Sequence, residues 1–153
     1  APTDGSILFT HDGYWYSSQT KTNKLTMTPE NYTLITSYDE GKRAISYIGS
    51  RLPSSDAPEY LQLSTLMSMQ NKRPNLIVHF HHPELTRSGR YENLVTPEKL
   101  EYGQFSSGRE CFRKLNELGS DWLILLEHGM LWVGESVDAF EYYLKRINIP
   151  RVV

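Results

Sequence analysis

The sequence predicts a layered α/β (α+β) domain, and three observations predict it. Short aromatic and β-branched runs broken by turn residues fill the first fifty positions, as paired hairpins would. Two later apolar runs, near residues 76–81 and 122–126, read as buried strands. Segments with apolar residues every three or four positions lie between and after them, so the order is strands, helix, strand, helix, strands, helix.

In chain order, Ser6-Ile7-Leu8-Phe9-Thr10 and Tyr14-Trp15-Tyr16-Ser17 flank His11-Asp12-Gly13, whose Asp-Gly pair favours a tight hairpin. Tyr32–Thr36 and Ala44–Ile48 bracket the turn-forming run Tyr38-Asp39-Glu40-Gly41 and predict a second hairpin. Ser55 or Asp56 then caps a helix that tolerates Pro58 in its first turn. Its inward face is Tyr60, Leu63, Leu66 or Met67, and Gln70; Lys72 and Arg73 suit its negative end, and Pro74 stops it. Asn75–His81 is a strand, and residues 82–106, rich in Pro, Gly, Arg and Ser, read as a long functional loop. A helix from about Gly108 to Leu118 buries Cys111 or Phe112, Leu115 and Leu118, and ends at Gly119. Trp122–Leu126 and Met130–Val133 are strands, and Ser136 caps a last helix with Ala139, Phe140, Tyr143, Leu144 and Ile147 inward.

Composition excludes several classes of function. A length of 153 residues suits one hydrophobic core, and 39% hydrophobic with 22% charged residues is a folding composition. Sixteen Lys+Arg against eighteen Asp+Glu leave no general attraction for nucleic acid or anionic lipid. The single Cys111 precludes an intrachain disulfide and fits a reducing compartment. No run approaches the roughly 20 apolar residues of a membrane span, and Ala1-Pro2-Thr3-Asp4 lacks the basic start of a signal peptide. A cytoplasmic protein with neither nucleic-acid nor membrane partners is expected.

Chemistry concentrates in two places. In His79-Phe80-His81 the two imidazoles share one strand face, and His128 follows another strand at a tight turn; three histidines with a fourth position open are a catalytic zinc arrangement. In Pro53-Ser54-Ser55-Asp56 two hydroxyls and the free amides of a helix start suit a phosphate. Asp56 is a candidate acid/base, and Glu59, about one turn on, could reach the same side. Arg87, Arg90 and Arg109 are candidates to grip a phosphate or an acidic neighbour, with a solvated loop the competing reading for the first two.

Read together, these blocks resemble the class II aldolase/adducin family. Leu125–Glu135 followed by Asp138-Ala139-Phe140 resembles the family's C-terminal signature, Pro53-Ser54-Ser55-Asp56 its Pro-Ser-Ser-Glu, and Pro74–His81 its Pro-x-x-x-x-Val-His-x-His strand. Gly5-Ser6-Ile7 through Asp12-Gly13 resembles its first strand, and Met27-Thr28-Pro29-Glu30 the segment before a later one.

The resemblance implies a three-layer fold with a central, mainly antiparallel sheet flanked by helices, in one domain spanning 1–153 without the usual N-terminal helices. It implies a zinc-dependent lyase that cleaves a phosphorylated ketose through a metal-stabilised enediolate. His79, His81 and His128 would hold Zn2+ or another divalent metal, Asp56 or Glu59 would carry protons, and Ser54 and Ser55 would hold the phosphate with help from Ser6 or from the Ser17-Ser18-Gln19-Thr20 turn, Ser18 in particular. Dehydratase or epimerase chemistry at the same metal site, or a non-catalytic adducin-like assembly module, are the alternatives. A homo-oligomer, commonly a tetramer, is implied as well. The chain departs from the family pattern at Asp56, one methylene shorter than glutamate, and at Ser6, where asparagine is usual. In its short connection after His81, only Tyr91 and Tyr102 are candidates by type for the proton-donor tyrosine.

Overall fold

A computed structural model describes residues 4–87, 89–97, 99–101 and 103–147. The first hairpin joins β1 (Ser6–His11) to β2 (Tyr14–Ser18) through Asp12-Gly13, whose φ angles of 50° and 82° follow the strand twist. β3 (Tyr32–Asp39) and β4 (Ala44–Ile48) form the second hairpin, with a bulge between Ile35 and Ser37. The remaining elements are α1 (Ala57–Ser68), β5 (Leu76–Phe80), α2 (Pro83–Arg87), α3 (Phe105–Leu118), β6 (Trp122–Leu125), β7 (Gly129–Gly134) and α4 (Val137–Arg146). The seven strands make one sheet in the order β4-β3-β2-β1-β5-β7-β6, and each neighbouring pair is antiparallel.

Alternation of side chains divides the core into two layers. Ile77, Leu123, Leu125, Leu131 and Val133 face α1 and α3 together with Leu8 and Ile35. Leu76, Val78, Trp122, Ile124, Met130 and Trp132 face the other way, onto Leu85 of α2 and Tyr143 of α4. The strands β5, β6 and β7 are therefore apolar on both faces, and the result is a helix, sheet, helix sandwich. Among the described residues no helix is long and apolar enough to cross a membrane.

Three local expectations are corrected. α1 ends earlier than expected because Asn71, at φ 61°, turns the chain. Lys72 then caps the helix with its backbone N–H on the Met67 carbonyl, and the Asn71 N–H donates to Ser68, so Lys72 and Arg73 lie beyond the last turn. The long loop contains α2 and a single turn of 3-10 helix at Glu92–Leu94; His82 starts α2 by accepting the Leu85 amide on Nδ1. α3 begins at Phe105, three residues before the expected Gly108. The Ser136 cap forms as read, with its hydroxyl accepting the Ala139 N–H.

Leu123 is fully buried against the α1/α3 layer, whereas Ile48 on the edge strand is 65% exposed. Leu123→Ala should cost about 2–5 kcal/mol of unfolding free energy in urea and Ile48→Ala within about 0.5 kcal/mol. Equal costs would show that the two-faced core is wrongly drawn.

Candidate metal centre

β5 pairs with β1 on one side and β7 on the other, placing His79 opposite Ser6 and Leu131. His79 shares the α1/α3 face with Ile77, is 3% exposed, and packs beside the buried ring of Tyr60. His81 follows the strand on the same side. The turn from β6 to β7, with Glu127 at φ 57° and the His128 N–H donating to the Leu125 carbonyl, delivers His128 to the same point. His79 Nε2 then lies 3.0 Å from His128 Nε2 and 3.2 Å from His81 Nε2.

The protonation of His79 can be deduced. Its Nδ1 is 2.9 Å from the Met130 carbonyl oxygen, which can only accept, so Nδ1 carries the proton. Burial, against the opposing pull of the Asp56 carboxylate and reinforced by the neighbouring imidazoles, pushes its pKa down to about 4. The ring is neutral near pH 7 and Nε2 offers one bare lone pair. One lone pair satisfies at most one neighbouring N–H, whereas a cation satisfies all three nitrogens. Ligands about 2.0–2.1 Å from a tetrahedral zinc stand about 3.3 Å apart, close to the spacing seen here. The Met130 bond is the kind of outer contact that orients a ligand histidine. Burial lowers the pKa of His128 as well. The three histidines therefore fit a divalent metal, with ligand atoms all within 4.8 Å of one another.

The triad opens into a cavity of about 560 Å³, a size suited to a small ligand. Ser54, Ser55 and Asp56 line it, as do Gln19 and Thr20, because residues 18–20 and 52–54 run side by side: Thr20 N–H donates to Leu52 and Ser54 N–H to Ser18. Asp56 takes the N-cap position of α1 without capping it. Its Oδ2 accepts the Ser6 hydroxyl at 3.0 Å, and its buried Oδ1 has no partner among the described residues.

Other candidates fall elsewhere. Ser6 and Ser18 are absent from the cavity lining: the Ser6 hydroxyl donates to Asp56 and the Ser18 hydroxyl accepts the Ile7 amide. Glu59 is 1% exposed and lies beneath the cavity rather than in its wall. Its carboxyl accepts the Gly103 amide, and burial together with the Asp56 charge raises its pKa to about 8. Arg109 pairs with Glu40, Arg90 lies over the Tyr91 ring, Tyr91 stacks edge-on against Trp122, and Arg87 is outside the cavity lining. Tyr102 lies outside the described residues.

Sequence reading missed Lys21, Lys24 and Lys99, which bring three cations to the cavity wall. Lys24 is half-buried, its ammonium bonded to the Thr22 carbonyl and attracted by Asp56 and Asp4. Lys99 stands 3.7 Å from Glu127. A lysine in a polar loop carries no sequence signal that separates it from a solvated one.

No protein-family model and no curated protein sequence matches the chain. Solved structures do. An L-fuculose 1-phosphate aldolase superposes with a TM-score of 0.65 at 16% identity, covering 99% of this chain and 81% of that one. A sugar-phosphate aldolase from Thermotoga maritima gives 0.74 at 14%, covering 99% and 89%. The N-terminal class II aldolase domain of a Thermoplasma acidophilum protein gives 0.59 at 14%, covering 89% and 76%.

The fold is that of the class II aldolases.

Within this class II aldolase fold, Gly129 is the residue that lets the triad close. A Cβ there would lie 2.8 Å from the Phe80 carbonyl oxygen and 3.0 Å from both His79 Cε1 and His81 Cδ2. Gly129→Ala should weaken affinity for a divalent metal by at least about tenfold while leaving the far-ultraviolet circular dichroism unchanged. Competition with a chelator measures this, and unchanged affinity would mean that the triad tolerates the displacement.

Two buried groups make stability depend on pH in opposite senses. Between pH 4 and 6.5 unfolded His79 binds a proton that the folded state excludes, so stability falls as pH drops through that window. Glu59, raised from its ordinary 4.5 to about 8, keeps a proton that the unfolded chain loses, so its contribution is complete below pH 4.5 and disappears as pH rises to 8. In metal-free protein the unfolding free energy measured in urea should therefore fall between pH 6.5 and 8, by at most about 1.4 kcal/mol per pH unit. Glu59→Gln should flatten that fall. A flat profile in the unsubstituted protein would show that Glu59 ionises normally.

Proposed function

We propose that this chain is a single catalytic domain, a divalent-metal lyase that cleaves a phosphorylated ketose by retro-aldol reaction, with zinc as the metal. The observation that carries this reading is the convergence of three imidazole Nε2 atoms on a cavity that Asp56, whose Oδ1 has no partner among the described residues, and three lysines also line. Support also comes from the aldolases that share the fold, two of which are described as acting on sugar phosphates.

His79, His81 and His128 would hold the metal, which when bound supplies Lewis-acid polarisation of the ketone and adjacent hydroxyl oxygens. The chain's own residues do the rest. Ser54, Ser55 and Thr20 present hydroxyls, and Lys21, Lys24 and Lys99 present positive charge, along the wall where a phosphate would lie. In cleavage the hydroxyl on the departing aldehyde carbon loses its proton, the carbon-carbon bond breaks, and its electron pair passes to the ketone fragment, which regains a proton at carbon. Asp56 carries that proton on Oδ1, while the Ser6 bond to Oδ2 holds the carboxylate in place.

Elemental analysis of purified protein should find stoichiometric divalent metal, and His128→Ala should lose it. A screen of ketose 1-phosphates should release dihydroxyacetone phosphate, and Asp56→Asn should reduce kcat by about 10²–10⁴ without loss of metal. Metal content unaffected by His128→Ala, or protein without metal, would sink the lyase reading.

A further inference from the structure

We propose that Glu59 is a positioning residue: through the Gly103 amide, its buried carboxyl fixes the Lys99–Leu100 wall of the cavity against the histidine triad and so sets how tightly the cavity holds an anionic substrate. The inference rests on reading the cavity as a sugar-phosphate site.

Glu59 sits in the first turn of α1, where the segment leading into α3 docks. Gly103 has φ +79°, and a Cβ on it would lie 2.4 Å from the Ser55 carbonyl oxygen; one on Gly108 would lie 2.2 Å from the Glu59 carbonyl oxygen. Two backbone approaches that exclude any side chain therefore meet the start of α1, one at Ser55 just before the helix and one at Glu59 in its first turn. The Glu59 carboxyl takes up the Gly103 N–H at that junction.

Upstream of Gly103, the segment returns to the cavity. The Glu101 carbonyl is tied down by the Ser107 hydroxyl, and Leu100 both lines the cavity and packs on the α1/α3 core layer. Lys99 reaches Glu127, the neighbour of His128. A shift at Gly103 thus reaches Leu100 and Lys99 within four positions of the chain.

A role in packing alone does not account for a carboxyl here. Among the described residues Glu59 Oε2 is buried without a hydrogen-bond partner, and an apolar side chain would fill the same space without stranding an oxygen. The acceptor for Gly103 is what the carboxyl adds. Asp56, not Glu59, reaches the cavity, so the effect of Glu59 should appear in binding rather than in proton transfer.

The test compares Glu59→Gln, which retains an acceptor oxygen, with Glu59→Leu, which does not, in metal-loaded protein. For Glu59→Leu, amide hydrogen exchange at Gly103 should quicken at least about tenfold, inorganic phosphate should bind about tenfold more weakly, and KM should rise about tenfold with kcat within about twofold. Glu59→Gln should match the unsubstituted protein in all three. A fall in kcat at unchanged KM in Glu59→Gln would make Glu59 a proton carrier and overturn the proposal, as would wild-type exchange and phosphate affinity in Glu59→Leu. Should Glu59→Leu fail to fold, Lys99→Ala at an exposed position decides: it should lose phosphate affinity with Gly103 exchange unchanged, and full affinity would refute the wall's role. If the unsubstituted protein cleaves no ketose phosphate, the lyase reading fails, while the exchange and phosphate measurements still settle what Glu59 does.

Discussion

The pairing of β5 with β7 governs the site. With Phe80 opposite Met130 and His79 opposite Leu131, the β6–β7 turn is carried to the end of β5 and His128 meets His79. Side chains alternate, so a slip of one residue would turn His79 toward α2 and α4 and break up the triad. Hydrophobicity alone does not prevent that slip, because Leu76, Ile77 and Val78 are buried on whichever face they point to. The polar end of the strand makes the difference. His79 Nδ1 finds the Met130 carbonyl only in the observed register, and only glycine at 129 leaves room for the rings of His79 and His81.

That register is kept at a cost in stability. Among the described residues neither Asp56 Oδ1 nor Glu59 Oε2 has a partner, and both are buried; an unsatisfied buried oxygen costs on the order of 1–3 kcal/mol. Domains of this kind have net stabilities of only about 5–15 kcal/mol, so two such groups are a large fraction of the margin. The doubly apolar strands β5, β6 and β7 offset it, since they bury side chains against two helical layers at once. The rigid core lies beside the polar cluster and holds it in a geometry that the cluster's own hydrogen bonds would not maintain.

Much of this was legible in the sequence because local signals are strong where chemistry is local. Asp12-Gly13 announced its turn, Ser136 its cap, and Gly119 the end of α3. The spacing of His79 and His81 fixed their common face before any tertiary contact was known. What remained illegible depended on contacts across the fold. α1 stops where Asn71 adopts a left-handed conformation, which its sequence neighbours do not require. Ser6 and Ser18 were read as helping to hold a phosphate; where they stand, beside Asp56 and the Ile7 amide and outside the cavity lining, depends on strand pairing that the local sequence does not reveal. Lys21, Lys24 and Lys99 gave no signal, since their role comes from residues 18–20 running beside 52–54 and from the segment that docks on α1.

Two of the departures from the aldolase pattern, Asp56 and Ser6, prove to be parts of one arrangement. Aspartate has one fewer rotatable bond than glutamate and a shorter reach, so its position is more strongly set by its backbone and by whatever binds its far oxygen. The β1–β5 register puts Ser6 opposite His79, on the face turned toward α1, and from there its hydroxyl donates to Asp56 Oδ2. The Ser54 hydroxyl accepts the Asp56 N–H from the other side, fixing the backbone that carries the carboxylate. Held at both ends, Asp56 has its Oδ1 unpaired among the described residues, and its side chain lines the cavity that the three histidines share. A shorter carboxylate then loses reach but gains a single defined orientation. Orientation counts heavily in proton transfer, where a misplacement of about 1 Å can cost about a hundredfold in rate.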